Sequence, residues 1–476
     1  MIKVLTAEQM READRLTIAS GIPGLILMEN AACRVVDFLV ARYSPLAAHR
    51  IAIICGKGNN GGDGLAIARQ ILTRFVPRGL QVFLAVDPRE LTGDAQRNYE
   101  MFVAVGGQFA YQPDATATLL IDALLGTGLR GPAFGPSLEW IRRMNTGFPS
   151  ARIVAVDIPS GLIEDGEYVK AHHTVTFAAP KIPMVKPVLC DAVGELTVAR
   201  IGIAEAIVNQ ADIAISELED FSGLLAPRGS NTHKGSFGHV LVVGGAPGKT
   251  GAAAMSGLSA LRAGAGLVTV AASDTDGFPH ELMSARLEGP LPLDRKTVLA
   301  IGPGIGSDPE IVELVRGAAR NAQMPVVIDA DGLNALAGFD EAPWPASAAP
   351  RILTPHPGEM QRIASATGDR IADARALAQR WNCCVVLKGS RTVIAFADGE
   401  VFINPTGSPS MAKAGSGDIL TGVIAGLVAQ FPAQWKLAVR CAVYLHGRAG
   451  ELAAKDLGSD KTVIATDLLR YLYADL

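Results

Sequence analysis

The sequence predicts a two-domain α/β protein, and three observations carry that expectation. Short apolar runs of strand length recur along the whole 476-residue chain, separated by stretches with helical spacing. Glycine is abundant at 51 residues while aromatics make up only 5%, a composition suited to tight strand-to-helix turns. The series also breaks once, near residue 215, which suits a chain long enough for two or more domains of ordinary size.

Two helical patterns open the chain, over about 7–19 and 24–42. RIAIIC (50–55) is the first buried-strand pattern, and QVFLAV (81–86), TLLIDALLG (118–126), ARIVAVDIP (151–159), HTVTFAAP (173–180) and GELTVARIGI (194–203) repeat the theme. Repeated βα units imply a parallel sheet covered by helices on both faces. Residues 204–222 form an acid-leaning, weakly patterned join. A second series follows: GHVLVVGG (238–245), GLVTVAAS (266–273), VLAIGPGIG (298–306), PVVIDADGLN (325–334), RILTPHPGEM (351–360) and CCVVLKGSRTVIAF (383–396). The expected domains are residues 1–215 and 223–476, packed rather than strung on a flexible linker.

Composition excludes several classes. With 43 basic and 47 acidic residues, no face is advertised for nucleic acid. Six cysteines without CxxC spacing point to a reducing compartment, and eight histidines form no metal-binding cluster. The N-terminus does not read as a secretory signal, and no apolar run reaches the length of a membrane span. The expectation is a cytoplasmic protein with no nucleic-acid or membrane partner.

In the second half, MAKAGSGDILTG (411–422) places Asp418 in the first turn of a greasy helix. An acid is welcome there because peptide dipoles are positive at a helix N-terminus. The open amides of that turn are also a ready anion site. A carboxylate beside bound phosphate is useful when it takes a hydroxyl proton, as a general base for phosphoryl transfer. Both readings fit the position. Glycine-rich strand ends at GGAPGKTG and GPGIG, the proline-bracketed His356 in TPHPGE, and Lys388 in KGSRT lie where open α/β sheets bind ligands.

The AGSGD turn looks like the anion hole and base of ribokinase-like kinases. The wider set NTHKGSFGHVLVVGG, GPGIG, DADGLN, TPHPGE, LKGSRT and MAKAGSGD resembles more closely the ADP/ATP-dependent NAD(P)H-hydrate dehydratases, over about residues 223–476. That resemblance implies that Asp418 deprotonates the hydroxyl of NADHX or NADPHX, the hydrated cofactors. Phosphorylation from ADP, or ATP, with magnesium turns that hydroxyl into a leaving group. It further implies hydrate contacts at Gly304, His356 and Asp418, and nucleotide contacts at Lys388, Gly389, Ser390, Arg391, Thr392 and Gly417.

In the first half, GKGNNGGDG (56–64) follows a strand without GxGxxG spacing, DALLGTGLRGP (122–132) follows another, and VAVDIPSGL (154–162) ends a third. Asp122 and Asp157 stand at carboxyl ends of strands, as active-site acids or as simple loop caps. Together with GIPGLILMENAA (21–32), these stretches resemble the NAD(P)H-hydrate epimerase domain over about residues 1–215, a Rossmann-like three-layer α/β/α fold. The resemblance implies a potassium site at Asn60, Asp122 and Ser160. It also implies substrate contacts at Asn59, Asn60, Gly61, Gly62 and Asp63, and at Gly126, Thr127, Gly128, Leu129, Arg130, Gly131 and Pro132, with Asp157 as acid/base. Arginine at 130, where some members carry lysine, keeps the cation but hardly deprotonates.

The reading is a bifunctional metabolite-repair enzyme, with self-association into a homo-oligomer as a family expectation. The first domain would interconvert R and S hydrates and the second would dehydrate the S form. The alternatives are a ribokinase-like small-molecule kinase fused to a dinucleotide-binding module, and a non-catalytic cofactor sensor.

Overall fold

A computed structural model describes residues 1–474. The chain divides into two compact units, Ile2–Ala211 and Asp212–Leu476.

In the first unit a short strand, β1 (Ile2–Val4), precedes the helices Ala7–Ala19 and Gly24–Tyr43. Thr6 caps the first of these in a reciprocal capping box with Gln9. The sheet consists of β2 (Arg50–Cys55), β3 (Gly79–Leu84), β4 (Leu119–Ala123), β5 (Arg152–Val156), β6 (His173–Phe177) and β7 (Glu195–Ala199), in the order β3-β2-β4-β5-β6-β7. Every pairing in it is parallel. Alternate residues of β2 enter different cores: Ile51, Ile53 and Cys55 pack with Leu27, Ala31 and Leu65, while Ala52 and Ile54 pack with Ile141 and Met144. A period-two strand buried on both faces produces these three layers. The helix after β2 spans Asn59–Arg74, so NNGGDG is its first turn rather than a loop leading to it.

The second unit contains β8 (Ile213–Ile215), β9 (His239–Val243), β10 (Leu267–Ala272), β11 (Met283–Arg286), β12 (Val298–Ile301), β13 (Val326–Ile328), β14 (Arg351–Leu353), β15 (Cys384–Leu387), β16 (Val393–Ala395) and β17 (Val401–Ile403). They run in the order β8-β17-β16-β15-β14-β13-β12-β9-β10-β11. From β14 to β11 the pairings are parallel, but β15-β16 and β16-β17 are antiparallel. CCVVLKGSRTVIAF is therefore a hairpin turning at Lys388–Thr392, which an apolar run on both sides of the turn had concealed. β8 lies in the stretch read as a join; three residues are too few for a period to declare itself.

The helix Ser416–Gln430 is buried from Ile419 to Ala429, more completely than a one-sided stripe requires. It lies against the helix Thr250–Arg262 at backbone distance. A Cβ on Gly422 would stand 2.0 Å from the Ser256 carbonyl oxygen, and one on Gly426 would stand 2.6 Å from that of Ala260. Helix propensity alone favours alanine over glycine by about 1 kcal/mol, yet overpacking of this kind costs about 1–3 kcal/mol or more. Gly422→Ala should therefore lower the unfolding midpoint of the second unit. Gly317→Ala, in the helix Pro309–Asn321 where a Cβ meets nothing within 4 Å, should raise it or leave it unchanged. Equal midpoints for the two variants in thermal unfolding would contradict the close-approach argument.

Candidate active sites

In the second unit the site gathers at the carboxyl ends of β13, β14 and β15. Asp329, just past β13, is 1% exposed. Its Oδ1 accepts from Lys388 Nζ at 2.6 Å and its Oδ2 from the Thr421 hydroxyl at 2.7 Å. Glu359 Oε2 lies 3.7 Å from the same ammonium and accepts from the His356 N–H at 2.7 Å. Burial disfavours the charged lysine, but Asp329 and Glu359 outweigh it and raise its proton affinity. Lys388 thus stays an ammonium at the mouth of the Ser416–Gln430 helix, with Nζ 3.4 Å from where a Cβ of Gly417 would sit.

Gly415 caps that helix at φ 90° with no side-chain cap; Ser416 N–H donates to the Lys413 carbonyl at 3.4 Å, and the amides of Gly417 and Asp418 are left for another acceptor. Asp418 stands in the same turn. Its backbone carbonyl accepts from Ser256 Oγ at 2.9 Å, but among the described residues no donor reaches its carboxylate. Burial first, then Asp329 and Asp331, push Asp418 up to about 6, against the pull of Lys388. A carboxylate whose charge is disfavoured in this way gains and loses a proton nearer neutrality than an exposed one.

His356 caps the helix Pro357–Ile363: its Nδ1 accepts from the N–H groups of Gly358 and Glu359 at 3.0 and 3.3 Å. Its Nε2 lies 3.6 Å from Glu359 Oε1, and about half of the side chain is exposed. Gly304 holds φ 59° beside Lys249, and its carbonyl accepts from Ala246 N–H at 2.7 Å. In the hairpin turn, Gly389 and Ser390 are exposed. The Thr392 hydroxyl donates to the Gly389 carbonyl at 2.9 Å, and Arg391 reaches the Pro405 carbonyl at 3.2 Å. Arg370 fixes this turn from below, donating to the carbonyls of Leu387, Lys388 and Ser390. Sequence reasoning missed Asp329, Glu359 and Arg370. Asp329 carried a signal, being an acid directly after the apolar run of β13, and Glu359 stood in TPHPGE, three residues after His356.

In the first unit, Asn60, Asp122 and Ser160 come together. Asp122 Oδ1 accepts from the Ser160 hydroxyl at 2.5 Å and from Leu124 N–H at 3.3 Å, and Oδ2 accepts from Ser160 N–H at 2.8 Å. Burial pushes Asp122 up to about 6, although the Ser160 bonds oppose it. Asn60 Nδ2 donates to the Leu125 carbonyl at 3.1 Å, while its buried Oδ1 has no partner.

Asp157, at φ 66° after β5, accepts from Phe177 N–H at 3.1 Å, from Thr176 Oγ1 at 3.2 Å and from Lys181. Asp14 and Asp63 stand near it. Burial, then Asp157, pushes Asp14 up to about 6, with Lys181 opposing. Burial, then Asp157 and Asp14, holds Asp63 well above the usual carboxylate range. Neither Lys181 nor Asp14 was anticipated. Lysine immediately after the apolar run of β6 was the available signal for the first.

Gly61 and Gly62 are buried by the protein's own packing, against the Gly56 carbonyl oxygen and the Met28 sulfur. Asn59 is exposed. The Gly126–Pro132 loop opens outward, with Gly128, Arg130, Gly131 and Pro132 exposed and Thr127 and Leu129 half-buried.

The family model described as NAD(P)H-hydrate dehydratase matches residues 240–473, and that described as YjeF-related protein N-terminus matches residues 24–182. The bifunctional NAD(P)H-hydrate repair enzyme Nnr of Moorella thermoacetica is 40% identical to this chain, covering 98% of it and 96% of its own length. The protein of the same name from Escherichia coli K12 is 34% identical, with coverages of 98% and 92%. The solved structure of ADP/ATP-dependent NAD(P)H-hydrate dehydratase from Bacillus subtilis, co-crystallised with ATP/Mg2+, is 34% identical. It covers 54% of this chain and 96% of its own, with a TM-score of 0.49. With relatives aligned across both units, the chain belongs to the family of bifunctional NAD(P)H-hydrate repair enzymes.

Proposed function

We propose that the chain repairs hydrated nicotinamide cofactors: the first unit epimerises R- and S-NAD(P)HX, and the second dehydrates the S form to NAD(P)H at the expense of ADP. The observation that carries the second activity is Asp418. It is a half-buried carboxylate without a hydrogen-bond donor among the described residues, in the first turn of a helix whose Gly417 and Asp418 amides are open and whose mouth holds an ammonium. Asp418 takes the proton of the substrate hydroxyl as that oxygen accepts the terminal phosphoryl group of the nucleotide. The helix amides and Lys388 stabilise the charge on the group in transit. Phosphate then leaves C6 with the bonding electrons, C5 gives up a proton, and the ring double bond is restored. The products are NAD(P)H, AMP and phosphate.

The exposed backbone of Gly389 and Ser390, beside Lys388 and Gly417, is the surface offered to the nucleotide, with His356 and Gly304 on the hydrate side. Magnesium supplies charge neutralisation when bound with the nucleotide, and such an ion keeps waters and phosphate oxygens and needs one or two carboxylates. Both Asp329 oxygens are already engaged by Lys388 and Thr421, and Glu359 Oε2 by the His356 N–H and the Lys388 ammonium, so the ion would be held mostly by the nucleotide's phosphates.

In the first unit, Asp157 exchanges a proton with the C6 hydroxyl. Protonated hydroxide leaves as water, the ring nitrogen lone pair stabilises the cation, and water returns to the other face while giving its proton to the carboxylate. The Gly126–Pro132 loop and Asn59 offer open backbone and a free amide for the dinucleotide. Potassium suits the Asn60, Asp122 and Ser160 oxygens, because Asn60 Oδ1 is buried without a partner and hard oxygen donors match such a cation. The ion would also offset the burial that disfavours ionised Asp122.

The test is recovery of nicotinamide absorbance from mixed R- and S-NADPHX with ADP or ATP and magnesium. Both epimers should be recovered. Asp418→Asn should slow dehydration by about 10²–10⁴-fold, and consumption of nucleotide without recovered absorbance would instead mean a kinase that releases a stable phosphate ester.

The pH profile follows from the raised Asp418. Because the ionised form is the base, dehydration should fall about tenfold per pH unit below about 6 and be level above it. A rate independent of pH from 5 to 7 would remove Asp418 from that role.

Epimerisation without nucleotide should be faster in potassium than in lithium at equal ionic strength, and Asn60→Ala should abolish the difference. Persistence of the potassium effect in that variant would place the cation elsewhere.

A further inference from the structure

The partners of Asp157 are unevenly divided between its two oxygens. Phe177 N–H, Thr176 Oγ1 and Lys181 Nζ all donate to Oδ1, and among the described residues no donor reaches Oδ2. Three donors saturate one oxygen and fix the plane of the carboxylate, and the other oxygen keeps its lone pairs. The side chain is also partly exposed on that account, at 15%.

Lys181 is the strongest of the three donors and is itself 1% exposed. Its ammonium is fully used: besides Asp157 it donates to Thr176 Oγ1 at 2.9 Å and to the Phe177 carbonyl at 3.0 Å. Its backbone is pinned from the N-terminal segment, where Leu5 N–H donates to the Pro180 carbonyl at 2.9 Å and Ile182 N–H to the Leu5 carbonyl at 3.1 Å. The ammonium is therefore held at one point beneath Asp157. Burying it costs several kcal/mol unless its geometry is fully satisfied, and the same space would accept methionine at no such cost.

We propose that Lys181 is a positioning residue for the first unit's reaction, locking Asp157 Oδ1 so that Oδ2 is the oxygen that exchanges a proton with the substrate. This rests on Asp157 being the acid/base of the epimerase. The charged and titratable groups around the pair are Asp14, from the helix Ala7–Ala19, and Asp63, from the helix Asn59–Arg74. Both are acids, and Lys181 is the cation that faces them across Asp157. Removing it takes away the strongest of the three donors on Oδ1. It also frees the carboxylate to rotate.

The experiment is direct measurement of R-to-S conversion of NADPHX by chromatography, without nucleotide, so that the second unit is silent. Lys181→Met should lower kcat by about 10²-fold with KM changed less than about threefold. Dehydration of the S epimer by the same variant reports the concentration of active chain and should be unchanged. A Lys181→Met kcat within about threefold of wild type, or a loss carried by KM with kcat unchanged, would overturn the positioning role. If the methionine variant unfolds the first unit, Lys181→Arg decides. A planar guanidinium cannot donate to the same three acceptors, so a reduced kcat at unchanged KM supports the proposal and a wild-type kcat overturns it. Asp157→Asn at full rate would instead remove the acid/base assignment itself, a failure distinguishable from that of Lys181.

Discussion

The second unit depends on how Asp329 divides its two oxygens. One holds the Lys388 ammonium and the other holds the Thr421 hydroxyl, so a single buried carboxylate joins the end of β13, the start of the hairpin turn and the second turn of the Ser416–Gln430 helix. Each partner would be costly alone. A lysine in that position without its acid leaves an uncompensated charge, worth about 3–5 kcal/mol, and Thr421 is fully buried in the midst of apolar side chains. With both satisfied, the helix mouth is registered to the ammonium. The negative field of Asp329 then falls on Asp418, raising its affinity for a proton without touching it. Structure and chemistry meet in one residue.

The two units solve opposite problems with the same residue type at the same place in an α/β sheet. On the proposed assignment Asp418 is a base whose carboxylate no donor reaches among the described residues, and burial and neighbouring acids bring its proton affinity toward neutrality. Asp157 is given a buried lysine, a threonine hydroxyl and an amide on one oxygen. The first arrangement tunes affinity by burial and like charge, and the second fixes direction by hydrogen bonds. The difference follows from the work. Phosphoryl transfer brings its own dense negative charge, and a preformed cation on Asp418 would compete for it, whereas exchange of a neutral hydroxyl brings none.

Much of this was legible in the sequence because strands buried on both faces announce themselves. β2, β4 and β9 are mostly apolar runs with turn residues after them, and acids at or just beyond the ends of such runs, Asp122, Asp157 and Asp329, marked both sites. What was not legible had local causes. β8 is three residues long, and the hairpin of β15 and β16 hid within one apolar stretch because KGSRT can end a strand as well as turn one. Lys181 and Asp14 were missed for a different reason: their role exists only through partners distant in sequence, Asp157 for one and the Asp157–Lys181 pair for the other. Asp329 stood in a motif already noticed, DADGLN, but nothing in the string tells which of its two acids turns inward.

The glycine-rich motifs divide once each missing Cβ is placed. At Gly56, Gly61, Gly62, Gly244, Gly302 and Gly422 it would strike the protein's own atoms at under 3 Å, so these residues are glycine because strands, turns and helices touch there. At Gly58, Gly128, Gly131, Gly248 and Gly251 it would enter open space. Positive φ accounts for Gly131 and Gly248, but not for Gly58, Gly128 and Gly251. Helix entropy argues against glycine at Gly251, in the first turn of Thr250–Arg262, and no turn demands it at Gly58 or Gly128. Gly58 is the N-cap of the helix Asn59–Arg74, a position where glycine is tolerated almost as well as a side-chain cap. Gly128 and Gly251 are glycine for neither a packing nor a backbone-angle reason, and both lie in the glycine-rich stretches that the sequence singles out at strand ends.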